Sequence, residues 1–384
     1  MKPISRRTFL QWMTSAAAVT AIPTFCLRSR PLFASQVDLI PSEQEQADIA
    51  SIARELMSQN NIPGFSVAIA KNGQFAYLGG FGFADVSRSE QMTSSHRFRI
   101  ASLSKPTTSA AIFSLIENGR LDLNNTVFGP NGILGRDYPQ NLPAPVQAIT
   151  IQHLLTHTCG GWEKGKDDPM FHNYRMDHKE LIAWTLRSQP LDHMPGEHYA
   201  YSNFGYCLLG RVVEKITGQP YADMVQQTIL ARCSIGNMQI GGNTVAEKAP
   251  DEVTYYGQNG ENPYGMNVRR MDSHGGWIGT PADMVQFAMH VGGSSVVPNI
   301  LSANTIDVMT TPSQANPHYA CGWMVNRARN CWHSGSMPGT STILVRTHSG
   351  LCWAGFANTR AKGIDDALDN VMWKIARAVP AWHA

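Results

Sequence analysis

Charged residues are scarce in this chain of 384 residues, and neither sign of charge dominates. Asp, Glu, Lys and Arg together make up 16% of the sequence, the formal net charge is +2, and 43% of the residues are hydrophobic. A nucleic-acid-binding protein needs a strongly basic surface, which this composition does not supply. The length allows one large domain or two closely packed ones. We therefore expect small molecules or short peptides as partners, and no nucleic acid.

Several common catalytic motifs are also missing. The sequence contains no Gly-x-Ser-x-Gly, no His-Glu-x-x-His and no Cys-x-x-Cys. These absences argue against the hydrolase fold that presents its serine on a Gly-x-Ser-x-Gly elbow, and against a zinc enzyme. His153 and His157 lie one turn apart, but without the glutamate of the zinc motif we interpret them as buried or capping histidines. No metal and no cofactor is expected.

Residues 1–34 have the features of an export signal. Arg6 and Arg7 follow Ser5 in a twin-arginine motif, and an apolar stretch from Phe9 to Cys26 comes next. A stretch of about 18 residues that includes Trp, Thr, Ser and Pro is marginal as a membrane anchor. We expect a bacterial protein that is periplasmic or secreted and that meets the membrane only during export.

Six of the seven cysteines follow this segment: Cys159, Cys207, Cys233, Cys321, Cys331 and Cys352. Exported proteins can form disulfides, but twin-arginine substrates cross the membrane already folded, which favours free, buried thiols. Only Cys321 and Cys331 are close enough in sequence to suggest a pair across a hairpin.

Strand patterns occupy both ends of the chain after the signal, and helical patterns lie between them. A capping box at Ser42 and Glu45 predicts a first helix, and Asn72-Gly73 predicts a hairpin turn. Strand patterns return near the C-terminus, before a last helix, in 322–325, 340–345 and 351–357. The predicted fold is α/β (α+β), with a sheet from about 42–98 and 274–384 and a mostly helical region at about 99–273. The site is expected where the two regions meet.

The only Ser-x-x-Lys of the chain is Ser102-Leu103-Ser104-Lys105, at the start of a predicted helix. Residues three apart on a helix share a face, so the amine of Lys105 can reach the hydroxyl of Ser102. A lysine takes a proton from serine only if its pKa falls, as burial or a nearby positive charge would cause. By itself the motif is weak, because surface serines and lysines often have this spacing.

Two further motifs follow in the chain. Tyr201-Ser202-Asn203 is the only Tyr-x-Asn; a tyrosine whose pKa is lowered by a nearby lysine can move protons, and an Asn amide can hold a lysine and a substrate carbonyl. The third motif, His333-Ser334-Gly335, is followed by Ser336 and a strand. The same three residues recur at 348–350 between two strand patterns, where they predict a turn. We therefore favour the first copy.

In this order the three motifs resemble those of the class C branch of the serine β-lactamase and penicillin-binding-protein superfamily. Neighbouring segments are similar as well, over roughly residues 45–378: Phe98–Ala101, Gly119–Leu123, Leu154–Thr158 and Gly275–Thr280. The resemblance implies a β-lactamase/transpeptidase-like domain over 35–384. In that fold helices flank an antiparallel sheet, an all-helical region is inserted, and the site lies at their junction.

The resemblance also implies a role for each matched residue. Ser102 would be acylated, Lys105 and Tyr201 would share the acid and base roles, and the backbone amides of Ser102 and Ser336 would form the oxyanion hole. The substrate-binding residues implied are Asn203, His333, Ser334, Gly335 and Ser336.

One residue departs from the pattern of relatives that destroy β-lactams, because His333 stands where they usually have a lysine. With an ordinary pKa of about 6.5, a histidine is mostly neutral at about pH 7.5, so we expect weak recognition of a substrate carboxylate. The expected function is that of an exported serine hydrolase that forms an acyl-enzyme on an ester or amide, as an esterase, amidase or D-amino-acid peptidase. The alternatives are a true class C β-lactamase, a D-Ala-D-Ala carboxypeptidase, or a non-catalytic protein that binds acyl groups or peptides.

Overall fold

The computed structural model describes residues 39–139, 141–293 and 296–383, and the predicted export signal at 1–34 lies outside these ranges. The helices are α1 Glu43–Asn60, α2 Ser104–Glu117, α3 Ala144–Gln147, α4 Ile151–Leu155, α5 His178–Ser188, α6 Asn203–Thr217, α7 Tyr221–Val225, α8 Pro281–His290, α9 Ala303–Met309 and α10 Ile364–Arg377. The strands are β1 Gly64–Lys71, β2 Gln74–Asp85, β3 Glu90–Gln91, β4 Phe98–Arg99, β5 Gln239–Ile240, β6 Trp277–Gly279, β7 Met324–Val325, β8 Cys331–Met337, β9 Thr340–Arg346 and β10 Leu351–Ala357.

Seven strands form one antiparallel sheet in the order β3-β2-β1-β10-β9-β8-β7. Its centre joins the early and late parts of the chain, because β1 pairs with β10 from Phe65 opposite Ala357 to Lys71 opposite Leu351. This arrangement confirms the predicted α/β fold, with an antiparallel sheet built from both ends of the chain and flanked by helices.

The side chains of β1 alternate between two apolar cores, as the pleat of a strand requires. Phe65, Val67 and Ile69 pack beneath α1 and α10, whereas Ala68 and Ala70 belong to the core that also contains α8. Because helices cover both faces, every residue of β1 and β10 is buried. These two strands are therefore nearly continuous apolar runs in the sequence.

Local signals predicted several connections correctly. The Ser42 hydroxyl accepts a hydrogen bond from the Glu45 amide, and the Glu45 carboxylate accepts one from the Ser42 amide at 2.7 Å, so the capping box begins α1. Asn72 and Gly73 both have positive φ, 50° and 79°, which the tight hairpin between β1 and β2 needs. Residues 348–350 form the predicted turn between β9 and β10.

The helical region is not entirely helical. Strands β4, β6 and β5 form a second, three-stranded antiparallel sheet, and β5 lies inside the 99–273 segment. The expectation of an all-helical insertion is wrong in this respect. Strands of two or three residues are too short to show the alternation by which a strand is detected in sequence.

The six cysteines of the described ranges are all free and buried, which confirms the expectation of buried thiols. The suggested pair of Cys321 and Cys331 is wrong. Cys321 lies before β7, where its carbonyl accepts a hydrogen bond from Ser109, while the sulfur of Cys331 contacts Arg346 on β9. Among the described residues, no helix is both long enough and apolar enough to cross a membrane.

Candidate active site

Ser102 and Lys105 lie where β4 leads into α2. A short 3₁₀ helix, Ala101–Leu103, continues directly into α2, and the spacing of three residues brings Lys105 Nζ to 3.1 Å from Ser102 Oγ. Ala101 has a φ of 49°, a left-handed conformation that costs a residue with a side chain roughly 1 kcal/mol. Such strain is concentrated at functional sites, and here it shapes the turn that holds the half-buried Ser102.

The amine of Lys105 is completely buried and has two further acceptors. Its Nζ donates to Asn203 Oδ1 at 2.8 Å and to the His274 carbonyl at 3.0 Å. Burial lowers the pKa of Lys105 well below its ordinary value; the charge of Lys164 lowers it further, and Asp168 acts in the opposite direction.

These contacts suit a lysine that acts as a base. A neutral amine has two N–H groups and one lone pair. Because Asn203 Oδ1 and the His274 carbonyl can only accept, they take the two hydrogens of Lys105. The lone pair is then left for the hydroxyl proton of Ser102, and that is the geometry an activated nucleophile needs.

Tyr201 lies on the loop before α6 and is hydrogen-bonded to Ser102. Its ring centroid is 4.8 Å from Lys105 Nζ. Burial raises the pKa of Tyr201, with a smaller opposing effect of the Ser102 hydrogen bond. A lowered tyrosine pKa is therefore not what the structure indicates here, because burial disfavours the charged phenolate. Tyr201 is a neutral phenol that can pass a proton, not a standing phenolate.

Asp168 determines how the Asn203 amide is turned. Its Oδ2 accepts hydrogen bonds from the backbone N of Asn203 at 2.7 Å and from Nδ2 at 3.0 Å, so Oδ1 is left to face Lys105. Burial raises the pKa of Asp168 to about 6, while its hydrogen bonds to Met170 and Asn203 oppose the rise. Asp168 was not identified in the sequence, because it belongs to no motif.

The third motif lies on β8, which forms the other wall of the site. Strand β7 pairs only with Cys331 and Trp332, so among the described residues no strand pairs with the outer edge of β8 from His333 onward. At Gly335 this edge meets the nucleophile turn: a Cβ there would lie 2.4 Å from the Ile100 carbonyl and 3.1 Å from Ser102 N. Only glycine allows this approach, which brings the β8 backbone beside the Ser102 amide.

The side chains of the third motif alternate along β8. The side chain of His333 and the backbone of Gly335 are buried on one face, whereas the side chains of Ser334 and Ser336 are half-buried and share the opposite face with Trp332. The two serines therefore contribute backbone groups, rather than hydroxyls, to the edge beside Ser102.

His333 offers no charge to a substrate. Its side chain is only 3% exposed; Nδ1 lies 2.6 Å from the Ser334 carbonyl oxygen and Nε2 lies 3.1 Å from Tyr319 Oη. Burial lowers the pKa of His333 to about 3, and the charge of Lys105 acts in the same direction. The sequence-based expectation of a neutral histidine is confirmed.

His153 and His157, whose spacing resembles that of a zinc motif, have structural roles. His153 Nδ1 accepts a hydrogen bond from Thr150 N in the capping box of α4, and His157 is buried beyond the end of that helix. Their interpretation as capping and buried histidines is confirmed. In the part of the chain that the structure describes, no cluster of three or more His, Cys, Asp or Glu side chains could hold a metal ion.

A serine, a lysine and a tyrosine in mutual contact, beside the free edge of a strand, form the site of a serine hydrolase that uses a lysine as its base. The chain belongs to the beta-lactamase family, whose family model matches residues 49–376. The branch within the wider superfamily stays a prediction.

Similar proteins agree with this placement. Protein flp of Staphylococcus aureus (strain MRSA252) is 24% identical over 314 residues, which cover 79% of this chain and 61% of flp, so the chain spans about three fifths of that relative. The D-amino acid amidase from Ochrobactrum anthropi SV3 superposes with a TM-score of 0.70 at 22% identity, over 88% of this chain and 98% of the amidase. EstCE1, a hydrolase with promiscuous acyltransferase activity, gives a TM-score of 0.66 at 19% identity, over 85% and 98%. At these identities the two structures establish the fold.

Proposed function

We propose that this protein is a serine hydrolase that forms an acyl-enzyme on Ser102 from an ester or amide without a carboxylate beside the scissile bond. Amides of D-amino acids are included, and so are short D-amino-acid peptides cleaved at a bond away from their C-terminal carboxylate. The observation that carries the proposal is the position of Lys105 Nζ, 3.1 Å from Ser102 Oγ and held by two acceptors that occupy its other hydrogens.

The proposed reaction uses these contacts. Ser102 Oγ attacks the substrate carbonyl carbon while its proton passes to Lys105 Nζ, and the backbone amides of Ser102 and Ser336 hold the resulting oxyanion. The tetrahedral intermediate then collapses and expels an alcohol or amine, which receives the lysine's proton through the phenol of Tyr201. Water attacks the Ser102 ester in the second half, releases the acid and restores the free serine.

The neutral side chain of His333 on β8 favours substrates without a carboxylate. His333 is buried and neutral, so this wall supplies no cation where relatives that destroy β-lactams usually have a lysine. Two proteins of similar structure are a D-amino acid amidase and a hydrolase with promiscuous acyltransferase activity, and they support amides and esters as the substrate class.

The test is a substrate panel on the wild type and on Ser102→Ala, with Ser51→Ala as a control because Ser51 is an exposed serine on α1. The panel contains p-nitrophenyl butyrate, D-amino-acid amides, D-Ala-D-Ala peptides and nitrocefin. We expect turnover of the ester or the amides, loss of it in Ser102→Ala, and a fluorophosphonate adduct by intact-protein mass spectrometry in the wild type and in Ser51→Ala.

Two outcomes would contradict the proposal. Nitrocefin cleavage much faster than ester cleavage would favour the β-lactamase alternative. No adduct in the wild type, together with unchanged ligand binding in Ser102→Ala, would favour a non-catalytic binding protein.

We also propose export by the twin-arginine route to the periplasm or the medium. The twin-arginine motif at Arg6 and Arg7 supports this, and a described fold without disulfides suits a protein that folds before it crosses the membrane. In fractionated bacteria, replacing both arginines by lysine should leave the protein in the cytoplasm. A double variant that still reached the periplasm would contradict this route.

A further inference from the structure

A continuous chain of hydrogen bonds runs behind the site, from the Tyr-x-Asn motif to β8. The amide of Ser202 donates to His157 Nδ1 at 3.1 Å, and His157 Nε2 lies 3.1 Å from Tyr319 Oη. The same hydroxyl lies 3.1 Å from His333 Nε2, and His333 Nδ1 lies 2.6 Å from the carbonyl oxygen of Ser334. The side chains of His157, Tyr319 and His333 are at most 3% exposed, so their hydrogen-bonding groups must find partners within the protein.

The groups at the two ends of this hydrogen-bond chain determine which atom carries each proton. The Ser202 amide can only donate, so His157 Nδ1 is bare and its proton is on Nε2, which donates to Tyr319 Oη. The Ser334 carbonyl can only accept, so the proton of His333 is on Nδ1 and its Nε2 is bare. Tyr319 therefore receives one hydrogen bond and gives its single O–H to His333. All four contacts are satisfied with both rings neutral.

A second buried tyrosine also contacts the Tyr319 hydroxyl. Tyr206 donates its own proton to the Leu155 carbonyl at 2.8 Å and is in hydrogen-bond contact with Tyr319. An imidazole nitrogen is a stronger base than a phenol oxygen, so His333 Nε2 is the preferred acceptor for the Tyr319 proton.

We propose that Tyr319 is a positioning residue for acyl transfer, because its hydroxyl ties together the two walls of the site. This inference rests on the proposed function. One end of the hydrogen-bond chain holds the backbone of Ser202, which lies between Tyr201 and Asn203. The other end holds the β8 backbone near Ser336. The hydroxyl thereby sets the distance between the group that passes the proton and a group that holds the oxyanion.

Small displacements matter for such a pair. A shift of about 1 Å in a reacting group can reduce a rate by about 10²-fold, because oriented attack and oxyanion stabilisation both depend on close contact. Without its hydroxyl, residue 319 would leave the Nε2 atoms of His157 and His333 unpaired inside the protein. Both walls would then relax independently to satisfy these atoms.

Tyr199 provides a matched control. Its ring lies 5.6 Å from that of Tyr319 and 6.0 Å from that of His157, centroid to centroid, so it belongs to the same aromatic cluster. Its hydroxyl has no part in the chain that joins Ser202 to Ser334. Tyr319→Phe and Tyr199→Phe each remove one hydroxyl from this cluster, and only the first interrupts the chain.

The kinetic test compares these two variants on the best substrate of the panel. We expect Tyr319→Phe to lower kcat by about 10- to 100-fold with KM changed less than about threefold, because binding surfaces are kept while the reacting groups move. Tyr199→Phe should stay within about twofold of the wild type in both. Equal kcat values for the two variants would overturn the proposal.

A second measurement needs no variant and no activity. Nitrogen-15 NMR of the histidine rings in the wild type should show the proton on Nε2 of His157 and on Nδ1 of His333 at pH 7. The opposite tautomer in either ring, or a charged ring, would overturn the proposal even if Tyr319→Phe failed to fold. If Ser102 forms an adduct but Tyr319→Phe turns over like the wild type, this inference fails and the proposed function stands.

Discussion

Lys105 is the side chain whose protonation sets the pH at which the site works. It can accept the proton of Ser102 only when neutral, so activity is present above the pKa of Lys105 and is lost as the pH falls through it. Burial is the main reason this pKa is low, and the nearby charge of Lys164 adds to the effect.

Lys164 therefore offers a way to move the pH profile without replacing a catalytic residue. Its side chain is exposed, and its Nζ lies 5.7 Å from the ring centroid of Tyr201. In Lys164→Met the pKa of Lys105 should rise, and the acid limb of kcat/KM should move to higher pH. The shift should be largest at low ionic strength, because salt screens an exposed charge.

Lys166, on the same loop, is the control for this prediction. It is also exposed, but its charge is paired with Asp192. Lys166→Met should leave the acid limb in place. An equal shift in both variants, or a shift of the Lys164→Met limb to lower pH, would contradict the electrostatic link between Lys164 and Lys105.

Sequence patterns predict contacts between residues that are close together in the chain, and they miss contacts between residues that are far apart in it. Ser102 and Lys105 are recognisable because their spacing puts them on one helix face and because the other two motifs follow in the expected order. Asp168 lies 35 positions before Asn203, and His157 lies 162 positions before Tyr319. Their contacts depend on how loops return to the site after folding, which no short pattern records.

Strand β8 is the element on which the geometry of the site depends most. Gly335 is where it touches the nucleophile turn, and a Cβ there would lie 2.3 Å from Thr342 Oγ1 as well as close to Ile100 and Ser102. Gly335→Ala should push β8 away from the Ser102 amide and separate the oxyanion donors. We expect kcat/KM to fall by at least about 10²-fold.

Gly236→Ala is the control for Gly335→Ala, because a Cβ at Gly236 would meet nothing within 4 Å. It should change kcat/KM by less than about twofold. Steady-state kinetics together with thermal unfolding of both variants separates loss of the site from loss of the fold. A Gly335→Ala enzyme with wild-type kcat/KM would contradict this prediction, because it would show that β8 can shift without loss of activity.

Helix α1 allows stability to be changed apart from activity. It packs with α10 over one face of the sheet, and Ser42 caps it. Ser42→Ala should lower the free energy of unfolding by about 1 kcal/mol, because it removes the acceptor for an otherwise free amide, and should leave kcat/KM unchanged.

Ser51→Ala is the matched control for the cap, since Ser51 is an exposed residue inside α1. Alanine is the better helix former at such a position, so stability should stay equal or rise slightly in a urea titration. Equal losses in the two variants would mean that the Ser42 hydroxyl does not stabilise the helix.

The elements that were predicted from sequence are those with strong local signals. The capping box, the Asn-Gly turn and the apolar runs of β1 and β10 all satisfy simple rules. Strand β8 was missed as the element that carries the third motif, since its buried positions include His333 and Gly335 and so hide the apolar alternation.

Across the whole molecule, the described fold depends on packing and not on covalent links. All six described cysteines are free and buried, and burial raises the pKa of five of them to about 12. Because the thiolate is the reactive form, these thiols should react very slowly with Ellman's reagent in the native protein and rapidly in guanidinium chloride.

The same free thiols imply that reductant should not matter for stability. The midpoint of unfolding in guanidinium chloride should be the same with and without dithiothreitol. A midpoint that falls on reduction would reveal a disulfide and contradict the free state of these cysteines.

The pairing of β1 with β10 has a consequence for how a cell makes this protein. The Gly64 amide donates to Asn358 Oδ1 at 2.7 Å across the join, although the two residues are 294 positions apart. A ribosome that adds about 5–20 residues each second needs roughly 15–60 s between these two points. Throughout that time the early hairpin has an open apolar edge, which is prone to pair with other chains. Chaperones that cover such edges are therefore expected to bind the nascent chain until β10 emerges and closes the sheet.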